Sequence, residues 1–197
     1  EYQITREEVD EYAAESFERA IQAQKSGFLA GEITPVTSEE FAFDGYNKRG
    51  IRLGRKTPEV KEDSHIRPSP VEVLAKIRPA FGGVQTGGNS SGVVDGAAAA
   101  IVASGNYVRS KGKAPLARIV AGASVGVKPE VMGIGPVPAI QAVCAKAGIK
   151  VEDVDRIEIN EAFGAQVMAC MRALNLDHKK LNVNGGAIAI GHPLAAT

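Results

Sequence analysis

The sequence has few cysteines and no excess of charge, and both shortages exclude classes of protein. Lys plus Arg and Asp plus Glu number 23 each among 197 residues, so no overall field attracts nucleic acid or an anionic membrane. The two cysteines, Cys144 and Cys170, lie in apolar, helix-like patterns without C-x-x-C spacing, which argues against a disulfide framework and against zinc. We therefore expect a reducing compartment, with both thiols in the core rather than acting as nucleophiles.

Long apolar runs are also missing. No stretch approaches the roughly 20 apolar residues of a membrane-spanning helix, and no signal peptide is visible. Hydrophobic residues nevertheless make up 44% of the chain, with 22 glycines. That content is enough for a globular fold with a sizeable core in one or two domains.

Two helix starts stand out in the first half. Thr5 as N-cap and Glu8 three residues later form a capping box that predicts a helix ending near Gly27. Ser69, followed by Pro70 at the first helical position, predicts a second, short helix. Apolar residues follow the first start at helical spacing: Val9, Tyr12, Ala13, Phe17, Ala20 and Ile21. Residues 32–36 resemble a short strand, and residues 37–66 an exposed polar excursion.

The second half alternates between strand and helix patterns from residue 116 onward. Such alternation is typical of an α/β layout around a sheet. Strands are predicted over residues 117–127, 155–160 and 180–185, and helices over residues 136–148 and 161–174.

Residues 82–104, GGVQTGGNSSGVVDGAAAAIVAS, are the most unusual stretch. Gly and Ser allow a backbone to approach a ligand closely and to expose its N–H groups. A plain glycine-rich turn before a buried alanine-rich element would have the same composition, so both interpretations stay open.

Two predicted strand ends carry polar residues where α/β folds bind ligands. Asn160 and Glu161 follow one strand, and a run from Gly185 to His192 follows the next. Helices expected to begin at Glu161 and near Pro193 would direct N–H groups at the same crevice, which suits an oxyanion. A lone histidine is more often structural, but small residues surround His192 and leave room for a substrate. His65 and His178 receive no role.

Four motifs in this order resemble those of the thiolases, which make and cleave acyl-CoA thioesters. They are TGGNSSGVVDGAAA (86–99), GIGPVPA (133–139), NEAFGAQ (160–166) and NVNGGAIAIGHPLAAT (182–197). The segments REEVDEYAAES and LAKIRPAF are also similar, so the likeness covers essentially the whole chain. The related ketoacyl synthases have a similar histidine turn but carry a second histidine where this sequence has Asn160.

The resemblance implies a fold and a domain organisation. The fold class would be α/β, with an incomplete thiolase-like layered α-β-α sheet domain preceded by a loop domain. Residues 1–93 would form the loop domain with its CoA-contacting segment, and residues 94–115 a returning strand of the N-terminal thiolase domain. Residues 116–197 would form a truncated C-terminal thiolase domain.

The resemblance also implies a chemistry. Thiolases transfer acyl groups between CoA thioesters through a cysteine acyl-enzyme, by 3-ketoacyl-CoA thiolysis or acetyl-CoA condensation. His192 would take the nucleophile's proton and then help to hold the thioester oxygen, and Asn160 would orient a water that completes this oxyanion site. The CoA-contacting residues would be Arg67, Phe81, Ser90, Ser91, Gly92, Val93, Ala162 and Phe163.

Two cysteines of the family have no counterpart here: the nucleophile and the acid/base cysteine that acts at the α-carbon. Neither Cys144 nor Cys170 matches their positions, so we expect the isolated chain to be inactive. The alternative hypothesis is a non-catalytic thiolase fragment that keeps a CoA-binding or oligomer-forming surface.

The surroundings implied by the resemblance are those of fatty acid and lipid metabolism. CoA and acyl-CoA would be substrates, with no tightly bound cofactor or metal. A homo-oligomer, dimer or tetramer, is expected, with neither nucleic acid nor membrane insertion. The location would be the bacterial cytosol, or an organelle matrix in a eukaryote.

Overall fold

The computed structural model describes residues 2–41 and 49–196. The helices are α1 (Arg6–Lys25), α2 (Val71–Leu74), α3 (Gly105–Ser110), α4 (Pro136–Ala147), α5 (Gly164–Leu174) and α6 (Ala187–Ile190). The strands are β1 (Val36–Thr37), β2 (Glu39–Phe41), β3 (Arg49–Ile51) and β4 (Glu59–Val60). Short 3-10 turns cover Leu29–Gly31, Pro129–Ile134, Val151–Asp153 and His178–Lys180.

The N-terminus of α1 confirms the predicted capping box. The Thr5 hydroxyl accepts a hydrogen bond from the Glu8 N–H at 3.2 Å, and the Glu8 carboxylate accepts from the Thr5 N–H at 2.8 Å. Beyond Lys25 the chain turns at Gly27 with φ of 81°, a left-handed conformation that glycine adopts without a steric cost. Local chemistry therefore defines both ends of this helix.

The core forms where α1 packs against α5 and α6. The apolar face of α1 is buried as its spacing predicted, at Val9, Tyr12, Ala13, Phe17 and Ala20. Val167, Met168 and Cys170 of α5 and Ile188 and Ala189 of α6 complete this cluster with Leu74, Ile159 and Leu181. The helix with the clearest sequence signature therefore supports the elements that carry the C-terminal motifs.

The second helix differs from its prediction. Pro70, not Ser69, is the N-cap of α2, and no side-chain hydrogen bond caps it. The helix ends at Leu74, before Pro79. A four-residue helix has few internal hydrogen bonds, and burial of Leu74 holds it against α1.

The polar region after residue 36 contains two small antiparallel pairs among its described residues. β1 pairs with β4 through Val36 and Val60, and β2 pairs with β3 through Glu40 and Gly50. Of the strand predicted over 32–36, only Val36 is in a strand. The exposed character predicted for 37–66 holds for most of its described part, and residues 42–48 lie outside it.

The predicted second-half strands are reduced to bridges. Ile157 and Leu181 form a parallel bridge, but residues 117–127 pair with no strand among those described. A strand needs a neighbour for its N–H and C=O groups, and pattern alone does not supply one. Residues 94–115 hold α3 and no strand, so the returning strand and the division at residues 93 and 115 stay predictions.

The C-terminal helices also shift relative to the sequence pattern. α5 begins at Gly164 rather than Glu161, and the chain beyond Pro193 forms a turn instead of a helix. The helix near the histidine motif is α6, which precedes His192. Within the described residues, no helix is long and apolar enough to cross a membrane.

Candidate active site

Asn160 and His192 come together at the end of the Ile157 bridge. Asn160 Nδ2 lies 3.4 Å from His192 Nε2. The backbone before Asn160 is held by the Asn182 amide, which accepts from the Ile159 N–H and donates to the Ile159 carbonyl, each at 2.9 Å. The two segments that were expected to border one crevice therefore lie next to each other.

The His192 turn is held from the opposite side. Gly191 has φ of 94°, and a Cβ there would lie 2.5 Å from the Val94 side chain, so this position requires glycine for two reasons. The His192 N–H donates to the Gly92 carbonyl at 2.8 Å. His192 also forms a parallel bridge with Val93. These contacts leave the imidazole half-buried, facing Asn160.

The geometry of this pair suits an oxygen ligand. The Asn160 amide nitrogen can only donate, whereas His192 Nε2 donates or accepts according to its tautomer. Two N–H donors 3.4 Å apart can both reach a single oxygen at the roughly 2.7–3.1 Å that an oxyanion site requires.

The Gly/Ser segment lies beside this pair. The Ser91 N–H donates to the Ala162 carbonyl at 3.1 Å, and Ser90 bridges Phe163 in antiparallel fashion. The Gly92 carbonyl accepts a hydrogen bond from His192, and Val93 forms a β-bridge with it. Six of the eight predicted CoA-contacting residues therefore lie together: Ser90, Ser91, Gly92, Val93, Ala162 and Phe163. Residues 97–100, the alanine-rich part of the alternative interpretation, are exposed in this structure.

A buried network supports the Gly/Ser segment. Asn89 donates to the Asp10 carboxylate at 2.8 Å and accepts from the Thr86 N–H at 2.7 Å. Arg6 pairs with Asp10 at 2.7 Å. Asp10 is 1% exposed and Asn89 is fully buried, and buried polar groups of this kind need such partners.

The other two predicted CoA-contacting residues are placed differently. The Phe81 ring is fully exposed, with φ of 55°. The Arg67 guanidinium lies 5.0 Å from the centre of the Phe17 ring and donates to the His65 carbonyl. The His65 ring packs at Gly92, where a Cβ would lie 2.9 Å from its Cε1. Burial is the main cause that lowers the pKa of His65, and the nearby Arg67 charge is the second.

Sequence reasoning missed the role of Glu161, which is fully buried. Four donors reach its two oxygens: the Tyr12 hydroxyl at 2.8 Å, the Asn182 amide at 3.0 Å, the Ser16 hydroxyl at 2.7 Å and the Ile188 N–H at 3.1 Å. Burial and the Glu161 charge raise the pKa of Tyr12, which keeps its hydroxyl protonated as a donor.

One sequence signal could have revealed this network. Ser16 lies four residues after Tyr12, on the apolar face of α1, and it is 3% exposed. A hydroxyl on a buried face requires a partner, and a carboxylate following an apolar strand is a suitable acceptor.

An open cleft of about 300 Å³ borders Asn160. Its other lining residues are mostly apolar: Ala123, Pro136, Ala139, Ile140, Val143, Glu158 and Ile159. Desolvation is the main cause that raises the pKa of Glu158, and the charge of Glu161 is the second. Among the residues that the structure describes, no cluster of His, Cys, Asp or Glu could hold a metal ion.

Both cysteines are core residues, as predicted. Cys144 is 7% exposed and Cys170 is fully buried. The Cys170 thiol donates to the Gly133 carbonyl at 3.3 Å, and burial raises its pKa. A protonated, enclosed thiol is a poor nucleophile.

Known proteins and sequence profiles match this chain over nearly its whole length. The sequence profile described as "Thiolase, N-terminal domain" matches residues 1–106, and "Thiolase, C-terminal domain" matches residues 113–197. The 3-oxoadipyl-CoA/3-oxo-5,6-dehydrosuberyl-CoA thiolase of Escherichia coli K12 is 46% identical over 196 residues, which are 97% of this chain and 46% of the relative.

Solved structures match over a similar extent. The acetyl-CoA acetyltransferase of Bacillus anthracis has a TM-score of 0.88 and 42% identity, over 100% of this chain and 47% of its own. Human mitochondrial 3-ketoacyl-CoA thiolase in complex with CoA has a TM-score of 0.81 and 38% identity, over 98% of this chain and 45% of its own. The chain spans about half the length of the relatives it matches.

Proposed function

The chain belongs to the thiolase family and has its α/β fold, and on that premise we propose that it supplies the histidine and the CoA-contacting segment of a thiolase-type acyltransferase. The observation that carries the proposal is the 3.4 Å approach of Asn160 Nδ2 to His192 Nε2. The segment of residues 90–93 lies directly beside this pair. These are the two parts of a site that activates a thioester and holds its CoA.

The proposed reaction proceeds by covalent catalysis. His192 Nε2 takes the proton of a cysteine thiol, and the thiolate adds to an acyl carbonyl, whose oxygen becomes an oxyanion. Collapse of that adduct expels the leaving group, either the carbanion of the cleaved 3-ketoacyl-CoA, which the acid/base cysteine protonates, or, for acetyl transfer, the CoA thiolate, which takes the proton held by His192. The acyl group then passes to CoA in thiolysis, or in condensation to the enolate that forms when the acid/base cysteine removes an α-proton of a second acetyl-CoA, and the nucleophilic cysteine is released.

Asn160 has a separate part in this scheme. Its amide orients a water that completes the oxyanion site with His192 Nε2. A neutral amide suits this position because it holds water without adding a charge beside the developing anion. The 3.4 Å separation allows both donors to act on one side of the substrate.

The nucleophilic cysteine of this scheme lies outside residues 1–197. Burial of Cys144 and Cys170, and the raised pKa of Cys170, support this assignment. We expect the same of the second, acid/base cysteine, so the isolated chain should not turn over.

CoA binding involves the six clustered residues together with Phe81 and Arg67. Small side chains accommodate the uncharged arm of CoA, and Arg67, an exposed residue, can meet a phosphate. CoA acts as a substrate in this proposal. The complete protein is expected to be a homo-oligomer in a cytosol or an organelle matrix.

A second candidate is a non-catalytic thiolase segment that binds CoA without transferring acyl groups. It is favoured by the burial of both cysteines of this chain. The two candidates differ only in whether a reactive cysteine on another stretch of polypeptide completes the site.

Two measurements test the proposal. Calorimetric titration of CoA into the 197-residue chain should show saturable binding that Arg67→Met weakens and Arg55→Met, an exposed matched control, does not. In the complete enzyme containing this chain, intact-mass spectrometry should detect a cysteine-bound acyl group after mixing with a 3-ketoacyl-CoA or acetyl-CoA. Binding without any acyl-enzyme would favour the second candidate, and absence of both would overturn the proposal.

A further inference from the structure

Glu161 lies at the centre of a buried hydrogen-bond network with no catalytic role assigned above. Both carboxylate oxygens are occupied: Oε1 accepts from Tyr12 and Asn182, and Oε2 accepts from Ser16 and Ile188. A buried carboxylate needs such donors, because desolvation without them is costly. The network ties this carboxylate to α1, to residue 182 and to α6.

The Oε2 side of Glu161 holds the segment that leads into the histidine. The Ile188 N–H, within α6, donates directly to Oε2. The Ser16 hydroxyl donates to the same oxygen and accepts from the Gly186 N–H at 3.1 Å. Four residues beyond Ile188, α6 has ended and His192 begins its contacts with Gly92. The carboxylate therefore anchors the base of the His192 turn.

Gly186 shows how closely the backbone before His192 approaches the Glu161 carboxylate. A Cβ at this residue would lie 2.4 Å from the Glu161 carboxyl carbon and 2.6 Å from Oε2. Its φ of −140° is accessible to any residue, so glycine is required here by the proximity of the carboxylate and not by the backbone conformation. The turn is built against Glu161.

The Oε1 side of Glu161 holds the backbone next to Asn160. Asn182 donates to Glu161 Oε1 at 3.0 Å and, from the same nitrogen, to the Ile159 carbonyl at 2.9 Å. Asn160 is the residue between those two acceptors. One carboxylate thus connects the backbone next to Asn160 with the backbone that leads to His192.

We propose that Glu161 is a positioning residue for acyl transfer: its buried carboxylate sets the distance between Asn160 and His192 by holding the backbone of both. This inference rests on the function proposed above. It assigns no contact between Glu161 and the substrate. A misplacement of about 1 Å in a catalytic pair can lower the rate about 100-fold, so loss of this anchor should be visible in kcat.

The substitution that tests this role is Glu161→Gln. Glutamine keeps the shape but replaces one acceptor oxygen with an NH₂ donor. In either orientation of the amide, this NH₂ faces a group that can only donate, the Asn182 NH₂ or the Ile188 N–H. Ser16→Ala is a milder second variant, because it removes the hydroxyl that joins Glu161 Oε2 to the Gly186 N–H and leaves the carboxylate in place. Val167→Ala, in the core of α5 and outside the network, is the control for a loss of stability alone.

The first readout is NMR of the full 197-residue chain. We expect Glu161→Gln and Ser16→Ala to speed amide exchange at Gly186, and Glu161→Gln also at Ile188. We expect both to shift the Asn160 side-chain amide and His192 ring resonances. Val167→Ala should leave these resonances in place at a matched free energy of unfolding. Unchanged Asn160 and His192 resonances in Glu161→Gln would overturn the proposal.

The second readout is steady-state kinetics of the complete enzyme. Glu161→Gln should lower kcat by about 10- to 100-fold while the KM for CoA stays within about twofold. An equal fall in kcat for Glu161→Gln and Val167→Ala, at matched stability, would make Glu161 merely structural. If the enzyme with Glu161 intact transfers no acyl group, the proposed function fails, and the NMR comparison alone decides whether Glu161 positions the pair.

Discussion

Asn160 Nδ2 and His192 Nε2 lie 3.4 Å apart although 32 positions separate the two residues in the chain. The two side chains are close because the backbone around each of them is held in place. The Asn182 amide donates to the carbonyl just before Asn160, and Glu161 accepts from an N–H of α6, the helix before His192. The His192 N–H itself donates to the Gly92 carbonyl. The contact is between the side chains themselves, and the surrounding hydrogen bonds fix their positions.

His192→Ala should abolish acyl-enzyme formation in the complete enzyme. The imidazole is the group proposed to take the proton of the attacking thiol, so its removal leaves that thiol protonated. Intact-mass spectrometry after rapid mixing with substrate measures the acylated fraction, and CoA titration serves as the control for an intact binding site. A normal yield of acyl-enzyme in this variant would contradict the assignment.

Asn160→Ala should reduce turnover and leave CoA affinity nearly unchanged. Loss of one oxyanion donor typically lowers kcat about 100- to 1000-fold, and losing a donor that acts through water should cost no more than this. Asn106→Ala, on exposed α3, is the matched control and should keep full activity. A large loss of CoA affinity on titration would be the adverse result.

Gly186→Ala should destabilise the chain by about 1–3 kcal/mol, the usual cost of overpacking. The added Cβ would meet the Glu161 carboxyl carbon at 2.4 Å. Gly31→Ala adds the same methyl group where nothing lies within 4 Å, so it is the control. Urea unfolding of the 197-residue chain measures both, and equal midpoints would show that the turn can move away from the carboxylate.

Glu8 should make the stability of the chain depend on pH in the acid range. The hydrogen bond from the Thr5 N–H lowers the pKa of Glu8 below its ordinary value of 4.5. A lowered folded-state pKa means that the stabilisation is present above pH 4.5 and is lost as pH falls through the lower value. Glu8→Gln should therefore flatten the dependence of the free energy of unfolding on pH below 4.5, and an unchanged slope would contradict this prediction.

The sequence allowed the helical elements to be located where local chemistry is decisive. Thr5 and Glu8 cap α1, and the apolar spacing from Val9 to Ala20 gives its buried face. The α4 and α5 patterns were found within three residues of their observed starts. The strands were located less well, because a strand near residue 120 or 157 exists only with a paired neighbour.

The candidate site was also only partly predictable. His192, Asn160 and six of the residues predicted to contact CoA were identified through motifs, and the structure brings them together. The role of Glu161 as the acceptor at the centre of the buried network was missed, because its donors Tyr12 and Ser16 lie 149 and 145 positions away in the chain. A pattern in sequence shows that a polar group stands on an apolar face but not which distant group meets it.

By itself, the sequence determined the family motifs and their order, the capped helix α1 and the absence of any strong net charge. Tertiary structure alone decided that Asn160 faces His192 and that Glu161 holds the backbone of both. The physical reason is burial. A carboxylate removed from water must find donors wherever the fold places them, and here those donors come from α1, α6 and residue 182.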